Sequence, residues 1–151
     1  MKLSAKTRYA SRILLDLALS DNGSPQRVQD IAERTGITVP FIEQIIKPLK
    51  HAGLVVSKRG ASGGHQLGKS TDSISLGDIV RIMEGSAELS VCLSSPERCA
   101  RAEGCPTRAA WRRATDAMLR ELDAITVADL MRNGHEGCLG LAMISTPTSR
   151  G

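Results

Sequence analysis

Three cysteines fall within fourteen positions of the segment VCLSSPERCARAEGCPTR, at Cys92, Cys99 and Cys105. Thiolates are soft ligands, suited to iron–sulfur clusters and zinc. The spacing Cys92-x6-Cys99-x5-Cys105 is neither the paired C-x2-C of structural zinc sites nor the compact C-x2-C-x2-C run of ferredoxins. It predicts a loop wrapped around its ligand, and Pro96, Gly104 and Pro106 suit such a loop. Arg98, Arg101, Arg108, Arg112 and Arg113 would offset a cluster's charge and lower nearby thiol pKa values. The segment holds no fourth thiol and no imidazole. Glu97, Glu103, His135, Cys138 or a small external molecule are the candidates for a fourth ligand. The competing readings are inert free thiols and a disulfide that forms on oxidation.

Which reading applies depends on the compartment and on the elements that carry the segment. No stretch approaches the roughly 18 apolar residues that span a bilayer. The N-terminal MKLSAKTRYASRILLDLALS looks like a leader at first, but Arg12 and Asp16 interrupt its apolar run and the apolar residues recur at helical spacing. It reads as a folded amphipathic helix of a cytoplasmic protein. In a reducing compartment, clustered cysteines serve as metal ligands or redox thiols more often than as disulfides. A chain of 151 residues suits one domain, or one small domain with an appended element. With 41 % hydrophobic but only 2 % aromatic residues, its core must be filled by Leu, Ile, Val and Ala, which points to mostly helical packing.

The predicted elements follow from apolar spacing and turn residues. Leu3, Ala10, Ile13, Leu14, Leu17 and Ala18 mark a helix capped by Ser4 and ended by DNGSP at residues 21–25. The stretch VQDIAERTGITVPFIEQIIKPLKHAGLV divides at Gly36 into helices over about 27–35 and 39–51. Thr38 is the expected side-chain cap of the second, with Pro40 in its first turn and Pro48 tightening its last. LVVSKRGASGGHQLGK predicts a β-hairpin with a flexible basic tip. Ser75 and Asp78 form a capping box ahead of another helix. After the cysteine loop, a helix of about eighteen residues carries the stripe Trp111, Ala114, Thr115, Met118, Leu119 and Leu122. Thr126 and Asp129 cap a short helix ending near Met131, and residues 133–151 read as a mobile tail. The chain thus divides into 1–88, which holds the paired helices and the hairpin; 89–106, the cysteine loop; 107–132, the long helix with a short following helix; and 133–151, the tail.

Two helices joined by a tight turn and followed by a hairpin are the parts of a winged helix-turn-helix. Ala32 permits close approach of the helices, and Gly36 permits the turn. The second helix then presents Thr38, Pro40, Phe41, Glu43 and Gln44 to base edges of double-stranded DNA. Gln44 suits adenine, Phe41 a thymine methyl, and Glu43 acts mainly against wrong sequences. Lys58 and Arg59 lead into the wing tip, where Arg59 suits a minor groove. Lys2, Lys6, Arg8, Lys47 and Lys50 suit phosphates. Charge agrees with this division. Residues 1–69 hold six lysines and five arginines against five acids, a net of +6, whereas residues 70–151 have a net of −2. An enzyme finds no support: there is no phosphate-binding glycine loop, since RGASGG lacks the Lys-Ser/Thr ending, and no nucleophile–base pair or carboxylate cluster.

MKLSAKTRYASRILLDLAL, the run VQDIAERTGITVPFIEQIIKPLKHAGLVVSKRGASGGHQLGK, and three cysteines ahead of a tryptophan-bearing helix together resemble a family of bacterial winged-helix regulators. That family includes the iron–sulfur cluster regulator IscR, the nitric-oxide sensor NsrR and the cysteine-metabolism repressor CymR, and the resemblance covers about residues 1–131. It implies a homodimer in which residues 107–123 cross their partner, with Trp111, Met118 and Leu122 as contacts. It also implies an iron–sulfur cluster on Cys92, Cys99 and Cys105 whose state alters DNA binding. Two departures stand out. The cluster-assembly branch takes its fourth ligand from a histidine three places after the third cysteine, where this chain has Arg108. The nitric-oxide branch uses an acidic residue near the partner's N-terminus, where this chain has Arg8. Neither solution transfers, and the fourth ligand and cluster nuclearity stay open. The expectation is a cytoplasmic, homodimeric DNA-binding regulator that senses iron–sulfur status, redox or nitric oxide; the alternative is a cluster-free relative using a thiol switch or another effector.

Overall fold

The computed structural model describes residues 3–133. Helix α1 (Ala5–Leu19) starts at Ser4, whose hydroxyl accepts from the Thr7 amide. It turns Ala10, Ile13, Leu14 and Leu17 inward, as their spacing requires. Helices α2 (Val28–Thr35) and α3 (Val39–His51) are joined through Gly36, which sits in the left-handed region at φ 69°. Ile31 of α2 and Ile42, Ile45 and Leu49 of α3 are fully buried against α1.

Thr38 occupies the position before α3, but its side chain makes no capping bond. Such a cap bonds the second or third amide of the helix. Here Pro40 has no N–H, and the Phe41 amide already donates to the Thr38 carbonyl at 3.0 Å. Pro48 does not break α3. The chain closes just beyond it, with Gly53 N–H donating to the Lys50 carbonyl at 3.0 Å, a three-residue step tighter than the α-helical one.

Strands β1 (Val55–Lys58) and β2 (Gly64–Leu67) pair antiparallel, Val55 opposite Leu67 and Lys58 opposite Gly64. Helix α4 (Leu76–Glu84) opens on the expected capping box between Ser75 and Asp78. The cysteine segment is not a plain loop. It contains a helical turn, α5 (Val91–Ser94), and a 3-10 turn over Pro96–Arg98. Elements of three or four residues show no apolar period, so spacing alone does not reveal them. Helix α6 (Pro106–Ala124) follows. A further helix, α7 (127–133), begins at a second capping box, Thr126 with Asp129. Its Val127 returns to the main core beside Ile74 and Ile79.

Candidate DNA interface and cysteine segment

Burying Ile42, Ile45, Ile46 and Leu49 leaves the opposite face of α3 to solvent. Thr38, Pro40, Glu43, Gln44, Lys47 and Lys50 all stand exposed there. Phe41 differs. Its ring meets Tyr9 of α1 edge-on, centroids 5.4 Å apart, and packs against the core. Part of its surface is therefore committed to holding α3 on α1. The guanidinium of Arg12 lies 5.5 Å from the Tyr9 ring centre, and that of Arg8 lies at 5.9 Å. Arg12 also donates to the Thr35 carbonyl at 3.3 Å, tying α1 to the turn between α2 and α3.

The wing is held near its tip by contacts that the sequence reading missed. Gln26 and His65 exchange two backbone hydrogen bonds of 2.8 Å. Arg27 donates to the Ala61 carbonyl at 3.0 Å, so the wing tip is tied to the start of α2. Lys58 and Arg59 remain exposed at the tip. Between α3 and β2 lies a notch of about 220 Å³, lined by Glu43, Ile46, Lys47, Lys50 and His65. The His65 Nδ1 is paired with the Ser57 hydroxyl at 2.8 Å. Burial and the charge of Lys50 hold the imidazole pKa below its usual value, with Glu43 opposing them.

The three thiols are free. Cys92 lies on α5, half-buried, its Sγ 3.1 Å from the Ser90 hydroxyl. Cys99 is exposed, directly after the 3-10 turn. Cys105 precedes α6 with its Sγ 3.1 Å from the Thr107 hydroxyl. That hydroxyl, then the Arg108 amide, hold the Cys105 thiol below the ordinary cysteine range. Among the described residues, no three side chains of His, Cys, Asp or Glu converge as a group able to hold a metal ion. Glu97 and Glu103 are exposed, and His135 and Cys138 lie outside the described residues.

Arg108 does more than offset charge. Its Nε donates to the Cys92 carbonyl at 2.9 Å and its Nη1 to the Ala102 carbonyl at 3.3 Å. It staples the two ends of the cysteine segment to the first turn of α6. The segment also docks further along α6, where the Leu89 amide donates to the buried Thr115 hydroxyl. Thr115 is the only fully buried member of the predicted stripe; Met118, Leu119 and Leu122 are half-buried, and Trp111 is 51 % exposed. At the far end of α6, Asp123 receives both Arg81 nitrogens of α4, at 2.7 and 2.6 Å.

The family profile described as Rrf2, an iron-dependent transcriptional regulator, matches residues 3–133. Protein rrf2 of Nitratidesulfovibrio vulgaris is 40 % identical over 133 residues, which cover 88 % of this chain and 89 % of that protein. The structure of CymR, the global cysteine regulator of B. subtilis, superposes with a TM-score of 0.75 at 34 % identity, covering 88 % of this chain and 98 % of that one. IscR of T. potens superposes with a TM-score of 0.71 at 32 % identity, covering 97 % and 93 %. With the profile spanning nearly the whole described chain and relatives named as regulators rather than enzymes, this protein belongs to the Rrf2 family of transcriptional regulators.

Proposed function

We propose that the protein is a cytoplasmic homodimer that binds double-stranded DNA and senses iron–sulfur status, redox or nitric oxide through a cluster held by Cys92, Cys99 and Cys105. One observation carries this reading. The three free thiols sit on a single segment that is stapled to α6, the helix whose half-buried stripe and exposed Trp111 leave a face for a second copy. The donor set fits an iron–sulfur cluster in kind: three soft thiols on one segment, one of them, Cys105, held below the ordinary cysteine range by the Thr107 hydroxyl. The family's description as iron-dependent points the same way. Arg108 is engaged with backbone carbonyls and does not ligate, so the fourth donor is to be sought among Glu97, Glu103, His135, Cys138 and a small external molecule. When bound, a cluster supplies redox and ligand-exchange chemistry. The chain's own part is to hold the segment: Arg108 and Thr115 fix its position on α6. Residues 1–88 act as the DNA-binding unit, 89–106 as the sensing segment and 107–132 as the dimer-forming one.

No membrane partner enters this reading, and no helix among the described residues is long and apolar enough to cross a membrane. On the DNA side, Thr38, Pro40, Glu43 and Gln44, with the exposed edge of Phe41, face the major groove, and Lys58 and Arg59 flank it from the wing. The test is protein purified without oxygen: absorbance and EPR spectra, with iron and acid-labile sulfide counted per chain. Iron and sulfide that disappear together in Cys99→Ala are the expected result. Colourless protein that also resists reconstitution would overturn the cluster.

A second reading is favoured by the arrangement of the thiols themselves. They are spread along the segment rather than converging, and Cys99 is open to solvent. In that reading they act directly as a redox switch. A reversible disulfide found by mass spectrometry in iron-free protein would support it.

A further inference from the structure

We propose that the notch between α3 and β2 is a phosphodiester-binding site of the DNA interface, and that His65 makes its occupation proton-linked. This inference rests on the reading of α3 and the wing as the DNA-contacting elements. The notch joins those two elements, with Lys47 and Lys50 on one wall and His65 on the other. A backbone strand passing from the groove filled by α3 to the wing crosses it. Phosphate contacts of this kind position a protein on the duplex and need cations or N–H donors at hydrogen-bond distance.

The charge count decides why His65 matters. Lys47 and Lys50 against Glu43 leave the notch with a net of +1, and Glu43 opposes an incoming phosphate. A protonated His65 doubles that net charge. The ring is already oriented, because the Ser57 hydroxyl occupies Nδ1 and Gln26 pins the His65 backbone. Nε2 is the nitrogen left for a ligand.

The groups that face the ring are Lys50 and Glu43 from α3, with Lys47 on the same wall, and Ser57 from β1. Asp16 of α1, the other helix packed on β2, is engaged by Arg34 at 2.8 Å. In the free protein, burial and Lys50 hold the imidazole pKa below its usual value, against Glu43. A phosphate in the notch favours the imidazolium, so the bound state holds its proton more tightly. Affinity must then rise as the pH falls through the bound-state pKa and level off below the free-state one. The slope is at most tenfold per pH unit, one proton per notch.

The experiment uses the full chain and a 30-bp duplex selected from a randomised pool at pH 7.5. Dissociation constants are measured by fluorescence anisotropy from pH 5.5 to 8.5 for the wild type, His65→Gln and His51→Gln. Imidazole NMR follows the His65 pKa with and without the duplex. The expected result is affinity that increases severalfold toward acid in the wild type and in His51→Gln, but not in His65→Gln. The NMR pKa should rise on adding duplex, and His65→Gln should lower the salt slope at pH 6 by about one phosphate contact. A pH slope unchanged by His65→Gln, or an His65 pKa indifferent to duplex, would overturn the notch while leaving DNA binding intact. Failure to bind any selected duplex would overturn the DNA reading and the notch with it.

Discussion

Two glycines of the DNA-binding half test whether the wing is braced as the structure shows. Gly36 and Gly64 both have positive φ, 69° and 157°, but their surroundings differ. A Cβ added at Gly36 meets nothing within 4 Å, so Gly36→Ala costs only the left-handed backbone. That is about 1–2 kcal/mol, partly offset by about 0.4–1 kcal/mol from a stiffer unfolded chain. The net loss should be about 1 kcal/mol. At Gly64 a Cβ falls 2.4 Å from the Gln26 carbonyl oxygen and 2.6 Å from its carbon, both backbone atoms. Relief requires the Gln26–His65 bridge to open, with loss of two hydrogen bonds of 2.8 Å. At about 0.5–1.5 kcal/mol each, with strain added, Gly64→Ala should cost about 2–3 kcal/mol. Urea unfolding followed by circular dichroism measures both variants. Anisotropy with a selected duplex should show weakened binding for Gly64→Ala even where it is fully folded, because the wing loses its anchor on the start of α2. A Gly64→Ala variant within 0.5 kcal/mol of wild type, or less damaged than Gly36→Ala, would refute the brace.

Other outcomes follow from single contacts. Arg59→Ala should weaken specific DNA binding by about 1–3 kcal/mol, and Gln44→Ala should relax the preference at one base pair per half-site; unchanged affinity and preference in both would move the interface elsewhere. Ser75→Ala removes one arm of the α4 capping box and should lower stability by about 1 kcal/mol, read as a drop of about 2–4 °C in Tm. Glu84 accepts from the Thr7 hydroxyl and from the Ser4 amide at 2.9 Å, which holds its carboxyl below the ordinary glutamate range. A depressed folded-state pKa gives stability that is complete above that range and is lost as the pH falls through the folded-state value. The Tm advantage of wild type over Thr7→Val should therefore shrink between pH 7 and pH 3, and a gap that stays constant would contradict the assignment.

Local pattern made much of this fold legible. Ile42, Ile45, Ile46 and Leu49 repeat at helical spacing between Gly36 and the hairpin, and α3 runs over the residues that this spacing implies. The boxes at Ser75–Asp78 and Thr126–Asp129 are likewise short-range signals, and both form. What escaped depends on distant partners. Arg27 reaches Ala61, thirty-four residues on, and Gln26 finds His65; no spacing rule links such pairs. The Thr38 cap failed for a local reason that was available, since Pro40 removes an amide the cap would bond. The cysteines are the instructive case. Their spacing shows that they share a segment, but not that their sulfurs share a point, and the described residues do not bring them to one. Arg108 was visible as a charge, yet its staple needs the carbonyls of Cys92 and Ala102 to face it, which only the folded segment arranges.

The two ends of α6 are held very differently, and that difference bears on signalling. At the C-terminal end, Asp123 is locked to Arg81, the Leu76 amide donates to the Ile125 carbonyl, and the Val127 amide donates to the Ile74 carbonyl, each backbone bond at 2.9 Å. Val127 is 1 % exposed within the same core that α1 and α3 share. This end is part of the DNA-binding body. The N-terminal end is held chiefly by the cysteine segment, through Arg108 and Thr115. Nineteen helical residues span about 28 Å. A change of about 10° at the fixed end displaces the thiol-bearing end by about 5 Å on that length. In the proposed dimer the two α6 helices face each other, so the displacement alters how one protomer sits on its partner while each core stays intact. Recognition helices must sit about 34 Å apart to read successive major grooves. A shift of several ångströms in that distance removes one of them from register. On the proposed reading, chemistry at the cysteine segment switches DNA affinity without unfolding either half, provided that α6 and not α3 is the element that moves.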